Sequence, residues 1–256
     1  MTKCPRAVIF DLDGTLAFPW ESPTSEVAMR LSTLLATIPV AVMSSASLER
    51  VQQSILPVLP KETDLKRFYL LPSAAGACYV QENGVWKCHY NLLFSQAEKE
   101  KVLKALQDGI RETRIVENEQ IYGSQFLDNE SQIICALIGL DAPPKKKAEW
   151  DPDRKKRQPI KRFLEKRLPQ FGIAFGGRAS IEITHKGVDK AYGVRWLAEH
   201  LKAQPKDLIF VGDAFYPGGN DYSVIKTGVQ TIEVSGPHET EKVIDEILSV
   251  CAQPNK

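Results

Sequence analysis

The sequence predicts an α/β fold: a doubly wound, mostly parallel sheet interrupted by an inserted α+β module. Three observations predict it. Short apolar runs alternate with amphipathic helices at both ends of the 256-residue chain, the grammar of parallel strands with helices on both faces. The runs stop at Asp11, Ser44 and Asp213, polar residues placed where such sheets bind ligands, beyond the carboxyl ends of their strands. The middle of the chain abandons this alternation.

Taken in order, Ala7 to Phe10 is an uninterrupted apolar run ending at Asp11, as a strand buried on both faces requires. Ser22-Pro23 has the form of an N-cap with Pro at the first helical position, and Val27, Leu31, Leu34, Leu35 and Ile38 follow at helical spacing. Val40 to Met43 is a second strand running into Ser44-Ser45, and Leu48, Val51 and Ile55 mark the next helix. Ser95 to Glu98 is a capping box opening a long helix with Val102, Leu106 and Ile110 on one face. Strand-like runs at 132–140 and 180–184 flank a very basic segment, 145–167. The first grammar then returns, with a helix over 192–201, a strand over 207–211 ending at Gly212-Asp213, and a last strand over 229–234. The expected organisation is a Rossmann-like core from 1–85 and 187–256 and an inserted α+β domain over 86–186.

Composition excludes several classes of function. With 33 Lys+Arg against 32 Asp+Glu, the net charge of +1 provides no broad basic field for nucleic acid. A hydrophobic content of 43% argues against disorder, and no apolar run approaches the length of a membrane span. Cys4, Cys78, Cys88, Cys135 and Cys251 form no CxxC pair and no compact spacing with histidine. Neither a zinc cluster nor a disulfide framework is expected, and reduced thiols in the cytoplasm fit best.

The chemistry is concentrated in Asp11-Leu12-Asp13-Gly14-Thr15. Two carboxylates two residues apart, on a turn just past a strand, allow one to attack phosphorus while the other trades a proton. A second acidic group, Gly212-Asp213 and Asn220-Asp221, follows another apolar strand. Carboxylates gathered at two strand ends repel one another unless a cation lies between them, and Mg²⁺ suits an oxygen-donor site shared with phosphate.

These motifs resemble those of the haloacid dehalogenase superfamily of phosphotransferases. Asp-Leu-Asp-Gly-Thr is similar to its first motif, Ser44 to its second, Lys190 in Gly187-Val188-Asp189-Lys190 to its third, and the Asp213 and Asn220-Asp221 segment to its fourth. The insertion resembles the branch with a large α/β cap. Within that branch, Pro217 to Asp221 and Phe175 to Glu182 are most similar to eukaryotic-type phosphomannomutases. The resemblance implies Asp11 as nucleophile and Asp13 as general acid/base. It implies Mg²⁺ held by the Asp11 and Asp213 carboxylates and the Asp13 carbonyl, with Asn220 and Asp221 supporting that shell. Ser44 and Lys190 would bind the phosphoryl oxygens. Ser45 or Ser47 competes with Ser44 for that role, and Lys186 competes with Lys190.

The cap is expected to set the substrate, with Ser180 and Glu182 placed to meet sugar hydroxyls and Arg178 as a replacement cation. Phosphomannomutases grip the phosphate that is not being transferred with cap arginines, whereas 126–140 contains none. The basic segment is expected to be a solvated helix face. The sequence therefore favours a Mg²⁺-dependent phosphatase of a small phosphorylated metabolite, a sugar phosphate first among them, acting through an aspartyl-phosphate. A phosphomannomutase or related hexose-phosphate mutase is the alternative. A small metabolite is the expected partner, without nucleic acid or membrane, and a homodimer is left open.

Overall fold

A computed structural model describes residues 3–253. The described strands form two sheets, and the contacts divide the chain into two units, Met1–Asn91 with Asp189–Lys256, and Leu92–Val188.

The first unit holds a seven-stranded sheet. Its centre is β1 (Ala7–Asp11), flanked in parallel by β10 (Leu208–Gly212) and β2 (Val40–Met43). β11 (Gln230–Glu233) and β3 (Phe68–Leu71) extend the parallel region on either side. Each central strand is buried on both faces, which is why it appears in the sequence as a continuous apolar run. Val8, Phe10, Ile209 and Val211 pack on one face with α1 (Ser25–Thr37), α2 (Leu48–Ile55) and α7 (Pro237–Cys251). Ala7, Ile9, Leu208 and Phe210 pack on the other with α6 (Lys190–His200). Burial of side chains such as Ile9 and Phe10, both 0% exposed, contributes about 1.5–3 kcal/mol each.

The cap of α1 is Thr24, whose side chain accepts the Val27 amide, and Ser22 lies outside the helix. Two further strands, β4 (Ala77–Glu82) and β5 (Val85–Asn91), complete the sheet in antiparallel fashion. Asn83 and Gly84, both at positive φ, form the two-residue turn between them. An Asn-Gly pair between extended segments is the local signal for this hairpin. β5 carries mostly exposed, mixed side chains and so shows no apolar run.

The second unit is a four-stranded antiparallel sheet in the order β6 (Phe126–Asp128), β7 (Ile133–Ala136), β9 (Ser180–His185), β8 (Phe171–Gly176). One face packs Ile133, Cys135, Ile181 and Ile183 with Val102 and Leu106 of α3 (Gln96–Thr113), Trp150 of α4 (Pro144–Trp150) and Ile160 and Leu164 of α5 (Gln158–Arg167). The capping box at Ser95 and Glu98 is present. Much of the basic segment is solvated and paired, with Lys155–Asp153 at 2.7 Å and Lys156–Glu119 at 3.4 Å. Arg157 departs from this pattern. It is 1% exposed, bound to Asp151 at 2.7 Å and to the carbonyls of Gly176 and Ser180 at 2.9 Å.

The cysteines correct an expectation. Cys4 and Cys251 form a disulfide across a sequence separation of 247, while Cys78, Cys88 and Cys135 are free. α7 packs beside α1, and its last residue reaches the segment that leads into β1. The two Cα atoms end 4.6 Å apart, a proximity that cysteine spacing along the chain cannot express. Among the described residues, no helix is long and apolar enough to cross a membrane.

A cross-link between the two ends constrains almost the whole unfolded chain and contributes about 2–5 kcal/mol. Reducing agent is expected to lower the melting temperature by about 4 °C or more. The double variant Cys4→Ser, Cys251→Ser is expected to melt at that lower temperature with or without reductant.

Candidate active site

The parallel register places the carboxyl ends of β10, β1 and β2 side by side, with Phe10 opposite Val211 and Asp11 opposite Met43. Asp11 therefore stands at one edge of the sheet with Asp213, which follows β10, and Ser44, which follows β2. Strands buried on both faces leave these residues little freedom to move.

Asp11 is 2% exposed, Lys190 2% and Asp221 0%. The Lys190 ammonium donates to Asp11 Oδ1 at 2.5 Å and to Asp221 Oδ1 at 2.7 Å. Lys190 is the first residue of α6, whose N-cap Asp189 accepts the Tyr192 amide at 3.0 Å. The helix start thus fixes the position of the ammonium. The second oxygen of Asp221 accepts the Ala214 amide at 3.1 Å, which fastens the loop after β10. Lys186, the rival of Lys190, bonds the Pro169 carbonyl within the second unit.

Glycines make room for this acidic cluster. Gly14 has φ +90°, and a Cβ there would lie 2.7 Å from the Asp213 carboxylate. Any side chain at position 14 would push the first acidic motif away from the second. A Cβ on Gly212 would likewise meet the Asp221 carboxylate at 2.5 Å.

Burial pushes the Asp11 carboxyl up from 3.8 to about 8; Lys190 opposes this, while Asp221 and Asp213 add to it. Asp213 is raised by burial and by Asp221. Burial alone would lower the Lys190 ammonium, but the two carboxylates touching it hold it above its ordinary value. The cluster therefore has three carboxylates against one ammonium, an excess of negative charge in a dry setting.

Oxygens of Asp11, Asp213 and Asp221 lie within 4.8 Å of one another. A hard divalent cation such as Mg²⁺ fits this all-oxygen donor set and would neutralise the excess charge. Asp221, expected only to support the metal shell, is part of this acidic triad as well as a partner of Lys190. Asn220 is exposed.

Ser44 is 3% exposed and its oxygen accepts the Ala46 amide at 3.1 Å. The helix cap falls to Ser47, which accepts the Arg50 amide, so Ser44 is not the residue that starts α2. The Asp13 carboxylate is met from the α2 side. Its Oδ1 accepts the Trp20 amide at 2.9 Å and lies 3.9 Å from Arg50 Nη2. Sequence reasoning overlooked Trp20 and Arg50, since neither belongs to a strand-end motif.

In the second unit, Ser180 and Glu182 alternate along β9 and share a face of its sheet. Glu182 is 8% exposed and accepts Gln132 Nε2 at 3.0 Å. Ser180 Oγ donates to the Gly176 carbonyl at 3.1 Å. Arg178 is exposed, so the buried cation of this unit is Arg157.

An acid whose folded pKa lies above its unfolded value contributes stability that is present at low pH and lost as pH rises through the folded value. Metal-free protein is therefore expected to lose thermal stability between about pH 4 and pH 8. Asp11→Asn is expected to flatten that slope, and Mg²⁺ to raise the melting temperature of the unaltered protein more than that of Asp11→Asn. Thermal melts across pH with and without Mg²⁺ measure both effects.

The chain is similar to several known proteins. A family model described as eukaryotic phosphomannomutase matches residues 135–250. The phosphomannomutase of Spinacia oleracea is 24% identical over 248 residues, covering 94% of each chain. Among solved structures, an IMP-bound IMP-nucleotidase from Plasmodium falciparum superposes with a TM-score of 0.70 at 20% identity, over 95% of this chain and 68% of that one. A haloacid dehalogenase-like hydrolase from Bacteroides thetaiotaomicron gives 0.63 at 15% identity, over 95% and 99%. In its fold, in the order of its motifs and in these relatives, the chain is similar to phosphomannomutases and to haloacid dehalogenase-like proteins.

Proposed function

We propose that this protein is a Mg²⁺-dependent phosphoryl-transfer enzyme of the phosphomannomutase type, acting on a sugar phosphate in the cytoplasm. The observation that carries the reading is the buried Asp11 carboxylate, held at 2.5 Å by Lys190 with Asp213 and Asp221 beside it.

In the first step an Asp11 oxygen attacks the substrate phosphorus, and the bond from phosphorus to the leaving oxygen breaks. Asp13 protonates that oxygen, giving an aspartyl-phosphate and a free hydroxyl. In the second step Asp13 takes the proton from an acceptor hydroxyl, whose oxygen attacks the aspartyl-phosphate and frees Asp11. Lys190 and Ser44 bind the equatorial phosphoryl oxygens, and rigid placement of these donors stabilises the transferring group. Asp11, Asp213 and the Asp13 carbonyl, with Asp221 in support, would hold Mg²⁺, which would supply further neutralisation of that group.

The full-length similarity to a phosphomannomutase supports a sugar acceptor. One observation favours water instead. Residues 126–140 contain no arginine and Arg178 is exposed, so the usual grip on a second phosphate is missing from that segment. Hydrolysis of a small phosphorylated metabolite is accordingly the second reading.

Both readings require Asp11. Asp11→Asn is expected to lower phosphoryl transfer by at least about 10³-fold, and turnover near that of the unaltered protein would refute them together. Incubation with mannose 1-phosphate and a catalytic amount of hexose bisphosphate separates the two. Mannose 6-phosphate without free phosphate establishes the mutase, whereas stoichiometric phosphate release establishes the hydrolase. Excess chelator is expected to abolish either reaction.

A further inference from the structure

Trp20 is an exposed residue in a strained backbone conformation. Its φ is 70° and it is 68% exposed. Left-handed backbone costs a non-glycine residue roughly 1–2 kcal/mol, and a side chain so open to solvent offsets little of that by burial. Strain that persists without burial points to a function for the turn that carries it.

The contacts of the turn indicate that function. The Trp20 N–H donates to Asp13 Oδ1 at 2.9 Å. The next residue is tied to α2, because the Glu21 carbonyl accepts Ser54 Oγ at 2.9 Å and Arg50 Nη2 at 3.5 Å. Ser54 is 1% exposed, so this tether is anchored in the core. The Arg50 guanidinium lies 5.9 Å from the centre of the Trp20 ring, and its Nη2 stands 3.9 Å from the same Asp13 Oδ1. An amide and a guanidinium therefore face one oxygen of a carboxylate that is 40% exposed. An aspartate that exposed would otherwise rotate among several rotamers.

We propose that Trp20 and Arg50 are positioning residues for Asp13. Together they turn Oδ1 toward α2 and leave Oδ2 as the oxygen that exchanges the proton. This inference rests on the acid/base role of Asp13 proposed above. Arg50 acts by charge at a distance slightly beyond a hydrogen bond, and Trp20 acts through its backbone N–H, with its ring resting against the guanidinium.

Turnover of p-nitrophenyl phosphate by Arg50→Gln, Arg50→Lys and Trp20→Gly tests the proposal. Trp20→Gly keeps the amide and suits the positive φ, so it is expected to fold at least as well as the unaltered protein. Arg50→Gln is expected to lower kcat by about tenfold or more, part of the roughly 10²–10⁴-fold that a positioned acid/base supplies, with KM changed by less than about twofold. Arg50→Lys should restore most of that loss. In an Asp13→Asn background the Arg50→Gln change is expected to be silent, because it acts through the missing carboxylate. The backbone amide resonance of Trp20 should also shift in Arg50→Gln, a readout independent of substrate.

A raised KM at constant kcat, a full further loss in the Asp13→Asn background, or an unmoved Trp20 amide resonance would each overturn the proposal. Asp13→Asn turning over like the unaltered protein would instead refute the underlying acid/base reading, so the two failures are distinct.

Discussion

The buried ammonium of Lys190, between Asp11 and Asp221, is the interaction on which the rest of the site depends. All three groups are at most 2% exposed, and ions taken out of water are stable only when closely paired. Lys190 pairs with both at once, which joins the end of β1, the start of α6 and the loop after β10. Removing that ammonium would leave two buried carboxylates facing each other, a large destabilisation for any fold of this size. In the proposed reaction the same ammonium, fixed beside Asp11, stands where transferred charge is to be neutralised.

The acidic excess explains the glycines around it. Three carboxylates can approach one another only if nothing else occupies the space, and Gly14 and Gly212 provide that space through their missing side chains. Burial first, and then the neighbouring carboxylates, raise Asp11 and Asp213, and a buried group of oxygen donors with excess negative charge suits a divalent cation. Charge, backbone geometry and metal chemistry thus describe a single constraint.

In the proposed reaction, transfer from an aspartyl-phosphate at Asp11 ends on a hydroxyl or on water. In the second unit the cation nearest to full burial is Arg157, and it is spent on Asp151 and two carbonyls, a structural role in tying α5 to β8 and β9. Ser180 and Glu182 share one face of the sheet, with Gln132 bonded to Glu182, a set of neutral and acidic groups suited to hydroxyls.

Elements whose signal is local are legible in the amino-acid order alone. β1, β2 and β10 are continuous apolar runs because both their faces are buried, and α3 carries its capping box in adjacent residues. Asp11, Ser44 and Asp213 stood out because they end apolar strand runs, whereas Asp13 and Lys190 entered through the resemblance of their motifs. Only the tertiary structure decided what joins them. Asp11 and Lys190 are separated by 179 positions, Cys4 and Cys251 by 247, and Arg50 reaches Asp13 from a helix whose own pattern reports only its buried face. β5 stayed hidden because its exposed side chains lack periodic apolarity, although Asn83-Gly84 marked its turn. The physical reason is the same throughout: periodicity records which face of an element is buried, while strand register and helix packing decide which distant side chains meet.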